Sequence, residues 1–238
     1  MAEVNLGSVS DNTIRRSSGT VGGSDTIDTY SFNVGNGSDI NISLTGMSAD
    51  TDIRLFRDFN GNGIVDSNDQ RLSSSTRSGN GDESINLSSQ ASNVDAGSYV
   101  VEVDPFLSAS TGYDLKVSAS STSNPSLLLP AEREVGALTS RRTFGDSLSL
   151  FDTVDTYRFS VTSGRTYNFT ASADDTLSFG MRLIRDGNNN REVDTGDVLA
   201  QSFGQSNGTE AINQFLSPGT YYLQVDKLGT TNYTLSMG

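Results

Sequence analysis

The chain has 238 residues, 34% hydrophobic and 19% charged, and contains neither cysteine nor histidine. That length holds one large β-domain or two ordinary ones, and the two missing residue types exclude disulfides, thiolate and imidazole metal sites, cysteine nucleophiles and a Ser-His-Asp triad. A net charge of −13 disfavours nucleic acid and anionic membrane as partners and favours divalent cations, while no apolar run approaches the roughly eighteen residues of a membrane span.

Along the chain, apolar residues alternate with polar ones, as strands with one face in a core require. The opening Met1-Ala-Glu-Val-Asn lacks the basic start and apolar middle of a signal peptide, so export would need a leader already removed or another route. The alternation runs through Tyr30/Phe32/Val34, Ile40/Ile42/Leu44 and Ile53/Leu55, then Ile85/Leu87, Tyr99/Val101/Val103 and Tyr113/Leu115/Val117. A polar stretch, Ala119-Ser-Ser-Thr-Ser-Asn-Pro-Ser126, comes next and reads as a linker, since Pro125 cannot donate to a ladder. Leu127-Leu-Leu129 is too apolar for a free tether; it is either the opening strand of a second domain or a segment that docks one domain on the other. Alternation resumes with Tyr157/Phe159/Val161, Tyr167/Phe169/Ala171, Met181/Leu183, Tyr221/Leu223/Val225 and Tyr233/Leu235/Met237. Clusters of Gly, Ser, Asn and Asp separate the runs, and no segment keeps a helical period over three turns.

The chain repeats itself once, at a period of about 127 residues that suits tandem domains. Asp28-Thr-Tyr-Ser-Phe-Asn-Val34 returns as Asp155-Thr-Tyr-Arg-Phe-Ser-Val161, and Gly97-Ser-Tyr-Val-Val-Glu-Val-Asp104 as Gly219-Thr-Tyr-Tyr-Leu-Gln-Val-Asp226. Near the start of each copy, Leu6-Gly-Ser-Val corresponds to Val135-Gly-Ala-Leu. The pattern predicts an all-β fold of two tandem antiparallel β-sandwiches, residues 4–118 and 131–238, joined by a linker at 119–130.

One stretch in each copy is built for chemistry. In Asp58-Phe-Asn-Gly-Asn-Gly-Ile-Val-Asp-Ser-Asn-Asp69, the residues Asp58, Asn60, Asn62, Asp66 and Asp69 have the ligand spacing of an EF-hand-type calcium loop, with Asp as the closing residue. Gly63 falls where that loop turns sharply, Ile64 supplies a backbone carbonyl, and Val65 is expected to pin the loop to the core. The plainer alternative is a polar Asn/Gly turn between two strands. Flanking residues alternate as strands rather than helices, so a structural clip is expected and not the opening of a helix pair. In the second copy Asp186, Asn188, Asn190, Asp194 and Asp197 keep the ligand positions and Glu192 supplies the carbonyl, but Arg191 replaces the glycine. A left-handed backbone costs such a residue roughly 1–2 kcal/mol. The second loop is therefore either a weaker site or one that no longer binds.

These strands together resemble the bacterial pre-peptidase C-terminal domain, on Asp28-Thr-Tyr-Ser-Phe, Ala49-Asp-Thr-Asp-Ile-Arg-Leu, Gly97-Ser-Tyr-Val-Val-Glu-Val and Tyr113-Asp-Leu-Lys-Val, and again on Asp155-Thr-Tyr-Arg-Phe, Pro218-Gly-Thr-Tyr-Tyr-Leu-Gln-Val and Asn232-Tyr-Thr-Leu-Ser. The resemblance implies a jelly-roll-like sandwich of roughly a hundred residues. It also implies an accessory module of secreted or surface bacterial proteins that binds calcium in some members and carries no catalysis. The departure is in context, since no peptidase domain accompanies the two copies.

Three further features invite a reading. Asp25 with Asp28, and Asp152 with Asp155, precede equivalent strands and are expected to make side-chain turns in preference to a second ion site. Glu83 and Glu210 are expected to pair with the Arg15-Arg16 and Arg141-Arg142 doublets, and of Tyr221-Tyr222 one ring is expected to face outward. The sequence thus points to a non-catalytic calcium-binding module, secreted or at the cell surface, with calcium as its partner and no nucleic acid or membrane insertion. An adhesive module binding an extracellular protein or polysaccharide is the alternative.

Overall fold

A strand whose side chains alternate apolar and polar has one face to bury, and the stable way to bury many such faces is to set two sheets against each other. A computed structural model describes residues 3–121, 125–174, 179–204, 208–227 and 229–238, with backbone alone at 108 and 227. The chain divides into two compact units, Met1–Pro130 and Ala131–Gly238.

The first unit contains β1 (Val4–Val9), β2 (Thr13–Val21), β3 (Asp28–Val34), β4 (Ser38–Thr45), β5 (Thr51–Asp58), β6 (Gln70–Ser75), β7 (Glu83–Leu87), β8 (Gly97–Pro105) and β9 (Thr111–Ser121). They form a five-stranded sheet in the order β1-β3-β8-β5-β6 and a four-stranded sheet in the order β2-β9-β4-β7. The second unit contains β10 (Arg133–Ala137), β11 (Arg142–Leu148), β12 (Val154–Val161), β13 (Arg165–Ala173), β14 (Phe179–Ile184), β15 (Val198–Phe203), β16 (Thr209–Leu216), β17 (Gly219–Lys227) and β18 (Thr231–Met237). Its sheets, β10-β12-β17-β14-β15 and β11-β18-β13-β16, repeat the same order strand for strand. Each unit is a two-sheet sandwich, as the alternation predicts.

Every inward-facing residue named from the sequence is buried, from Tyr30, Phe32 and Val34 through Tyr233, Leu235 and Met237. The two cores also match in detail: Phe32 stacks on Tyr99 at 5.6 Å between ring centroids, and Phe159 on Tyr221 at 5.8 Å. The sheets are not antiparallel throughout. β1 runs parallel to β3 and β10 parallel to β12, because the intervening strand lies in the opposite sheet and the chain re-enters in its original direction. In both parallel pairs the register shifts beside a glycine in the left-handed region, Gly7 at φ +75° and Gly136 at φ +74°.

The linker begins later than its composition suggests. β9 continues through Ala119–Ser121, with Ala119 opposite Thr13 on one side and Ile40 on the other, so ladder pairing outweighs the low strand preference of serine there. Residues 122–124 of the expected linker lie outside the described residues. Leu128 and Leu129 are buried and belong to the first unit; β10 begins only at Arg133.

Candidate metal centres

The two loops close equivalent hairpins at the edge of each five-stranded sheet. β5 pairs with β6 up to Arg57 opposite Gln70, and β14 with β15 up to Ile184 opposite Val198, so each motif lies beyond the last paired residues of its hairpin. Asp58 stands at the end of β5 and is buried; its Oδ1 accepts the Gly61 N–H at 2.7 Å and its Oδ2 the Gly63 N–H at 2.9 Å. Those bonds require the backbone to reverse tightly, and both glycines take φ +68°. Asn60 Oδ1 then accepts the Asn62 N–H at 3.0 Å and Asn62 Oδ1 the Ile64 N–H at 2.7 Å. The amide groups of Asn60 and Asn62 both donate to Asp66 Oδ2, at 3.2 and 3.0 Å. Asp69 turns back as well, its Oδ2 accepting the Asp66 N–H at 2.9 Å and its Oδ1 the Phe59 N–H at 3.3 Å. Asp58, Asn60, Asn62, Asp66 and Asp69 are therefore drawn into one hydrogen-bonded loop. The Asn68 backbone N–H, followed by the Asn62 amide, holds the Asp66 carboxyl below the usual carboxylate range.

One apolar residue of this loop differs from expectation. Val65 is only half-buried and does not pin the loop to the core, while the Ile64 side chain is exposed. The anchor is Arg57, which recurs as Arg185 before the second loop but to which the ligand spacing assigns no role. Its guanidinium donates to the Ser98 and Ala96 carbonyls at 2.5 and 2.8 Å and lies over the rings of Tyr99 and Phe59 at 4.8 and 5.6 Å. A guanidinium with five donors can close off a loop base in a way a valine cannot.

The second loop is built the same way. Asp186 Oδ1 accepts the Asn190 N–H at 3.1 Å and Oδ2 the Arg191 N–H at 2.9 Å, while the amides of Asn188 and Asn190 donate to Asp194 Oδ2 at 2.9 and 2.7 Å. Asp197 Oδ2 accepts the Asp194 N–H at 2.9 Å, and the Glu192 N–H reaches Asn190 Oδ1 at 2.9 Å. Asn189 at φ +58° and Arg191 at φ +62° occupy the places of Gly61 and Gly63. The Glu192 side chain, to which the loop spacing assigns no role, is buried.

A further carboxylate group stands at one end of the first unit. Ligand oxygens of Glu3, Asp25 and Asp28 lie within 4.8 Å of one another. Asp28 meets a tyrosine pair where a side-chain turn is expected: the Tyr113 hydroxyl donates to it and in turn lies 2.6 Å from the Tyr30 hydroxyl. Burial raises the Asp28 carboxyl above its ordinary value, the Tyr113 bond opposes this, and the Glu3 charge adds to it. In the second unit Tyr233 donates to Asp155 at 2.6 Å and lies 2.6 Å from the Tyr157 hydroxyl. The Asp155 carboxyl is pushed up to about 9 by burial first, then by the charges of Glu132 and Asp152. Glu3 and Glu132 do not stand out in the sequence, although the correspondence of Leu6-Gly with Val135-Gly places them at equivalent positions.

Two other expectations fail on topology. Glu83 on β7 and Arg15 on β2 lie on opposite edges of a four-stranded sheet, about 14 Å apart at the usual strand spacing. Glu210 on β16 and Arg142 on β11 are separated in the same way. Glu83 instead accepts from the Ser75 hydroxyl of the facing sheet and from the Arg77 N–H at 3.0 Å, and Glu210 accepts from the Ser202 hydroxyl. Tyr221 and Tyr222 are both buried; the outward ring of Tyr222 is covered by Arg191, whose Nη1 donates to its hydroxyl at 2.7 Å.

No curated protein matches the chain. Among solved structures, the pre-peptidase C-terminal domain of a collagenase from Bacillus anthracis is 24% identical, covering 44% of this chain and 93% of its own, with a TM-score of 0.38. PliG, a periplasmic inhibitor of g-type lysozyme, matches at 18% identity from Salmonella Typhimurium (48% of this chain, 98% of that one, TM-score 0.26) and at 16% from Aeromonas hydrophila (49% and 99%, TM-score 0.31). The family described as the bacterial pre-peptidase C-terminal domain matches residues 26–105 and 153–227, one stretch in each sandwich and together well over half of the chain. With both repeats matched in this way, the chain belongs to the bacterial pre-peptidase C-terminal domain family and carries the domain in two tandem copies.

Proposed function

We propose that this chain is a non-catalytic calcium-binding module of an exported or cell-surface bacterial protein, with calcium stapling the two hairpin loops and shaping a surface for an extracellular partner. The observation that supports this reading is the duplication of one donor set. In both units Asp, Asn, Asn, Asp and Asp side chains are drawn into the same twelve-residue loop, and a hard divalent cation takes six to eight oxygen ligands of this kind. The chemistry fits the ion. Each loop supplies three carboxylates, two amide oxygens and the carbonyl of Ile64 or Glu192. The paired Asn amides that donate to Asp66, and to Asp194, supply partial positive charge where a cation would supply a full one. Glu3, Asp25 and Asp28 offer a further group of hard oxygens in the first unit. Among the described residues no helix is long and apolar enough to cross a membrane.

Calorimetric titration with calcium tests the reading through its stoichiometry, alongside thermal melts with and without chelator. Calcium is expected to raise the melting temperature, and Asp58→Ala to remove most of the gain from the first loop. A melt that is the same in chelator and in millimolar calcium, with no heat of binding, overturns it.

A second reading, as an adhesive module, draws on the outer face of the four-stranded sheet in the second unit. There Phe215 is 60% exposed and sits opposite Thr166 on the neighbouring strand, two residues from Asn213. An aromatic ring beside hydroxyl and amide groups suits a neutral polysaccharide. Glycan binding that survives chelator and is lost in Phe215→Ala would favour this reading.

A further inference from the structure

We propose that Tyr222 is a positioning residue for the second hairpin loop, holding Arg191 in the left-handed backbone conformation that glycine provides in the first loop. The inference rests on the cation-loop reading above and deepens it by naming what makes the second loop competent. Arg191 has φ +62° and Gly63 has φ +68°. The N–H of each reaches Oδ2 of the first aspartate of its loop, Arg191 to Asp186 and Gly63 to Asp58, both at 2.9 Å. The two backbones thus take one shape at a position where a side chain opposes it.

What differs is where the side chain goes. Arg191 Nη1 donates to the Tyr222 hydroxyl at 2.7 Å, and its guanidinium carbon lies 5.7 Å from the ring centroid. A hydrogen bond from a charged donor and a cation–π contact together are of the size needed to offset one residue in the left-handed region. Tyr222 lies on β17 opposite Arg158, on the strand face away from the core, yet is only 3% exposed. The first unit has Val100 at the equivalent place, opposite Ser31. Valine offers neither a hydroxyl nor a π face, and there the loop has glycine. The pair Arg191 and Tyr222 therefore stands where the pair Gly63 and Val100 stands in the other copy, and each member accounts for the other.

Hydrogen exchange of the backbone over residues 186–197 of the full chain, followed from chelator to millimolar calcium, reads the loop locally. Tyr222→Phe and Tyr222→Val are expected to speed exchange in chelator and to raise the calcium concentration that protects the loop, about tenfold for the valine variant. In the Arg191→Gly background the Tyr222 substitutions are expected to have no effect on either readout. The proposal is overturned if Tyr222→Val leaves both readouts unchanged, or if it loosens the loop equally when residue 191 is glycine, since Tyr222 would then act only through packing. Should calcium protect neither loop at any concentration, the calcium reading fails by itself. The exchange rates in chelator still decide whether the clamp exists.

Discussion

Asp58 and Glu83 are both buried carboxylates, held by different kinds of partner. Asp58 closes its loop through two backbone N–H groups, so Asp58→Ala is expected to cost about 1–3 kcal/mol even without calcium, measurable by denaturant unfolding in chelator. Glu83 faces the Ser75 hydroxyl inside the sandwich, where burial, the largest influence, pushes its carboxyl up to about 7 from an ordinary 4.5. The folded protein thus holds the Glu83 proton more tightly than the unfolded chain. Its contribution to stability is full below pH 4.5 and is lost as pH rises through about 7. Unfolding in chelator is expected to show stability falling across that window, and Glu83→Gln, which stays neutral, to flatten the slope. An unchanged slope would mean that Glu83 is ionised throughout.

At the scale of the element, the hairpin depends on a contact outside itself. Arg57 at the end of β5 reaches across β8 to the Ala96 and Ser98 carbonyls and passes directly over Gly97. A Cβ on Gly97 would collide with the Arg57 guanidinium, and Gly97 lies at φ +142°. Gly97→Ala is therefore expected to destabilise the first unit by about 1–3 kcal/mol and to loosen the β5–β6 loop. Gly219, its counterpart, has the Arg185 guanidinium at 3.8 Å, so Gly219→Ala should be the milder change; equal melting shifts for the two would refute the Arg57 contact as the cause. The hairpin itself is legible in the sequence because Asn, Gly and Asp at fixed spacing are local information. Arg57 was not legible, because its partners are contributed by a strand about forty residues later whose place beside β5 depends on sheet order.

The whole molecule repeats one sandwich, and each copy has its own closed core of aromatic and aliphatic side chains. Residues 131–238 expressed alone are expected to fold and to melt cooperatively, since burying each large apolar side chain is worth about 1.5–3 kcal/mol; a non-cooperative melt would show that the second copy depends on the first. The charge of −13 gives every unpaired carboxylate an unfavourable neighbourhood, which a divalent cation bound at the proposed loops would relieve locally and monovalent salt only through screening. Millimolar calcium should therefore raise the melting temperature more than sodium chloride at equal ionic strength.

Period-two alternation, the duplicated strands and the spacing of oxygen-bearing residues are properties of neighbours along the chain. They were enough by themselves to establish the fold class, the repeat and the position of both loops. Other features, like the Arg57 anchor, needed the third dimension: the parallel pairing of β1 with β3, the Ser75–Glu83 contact between facing sheets, and the docking of Arg191 on Tyr222. Each joins residues whose proximity depends on which sheet a strand enters and in what order, and neither choice is written in the local sequence pattern.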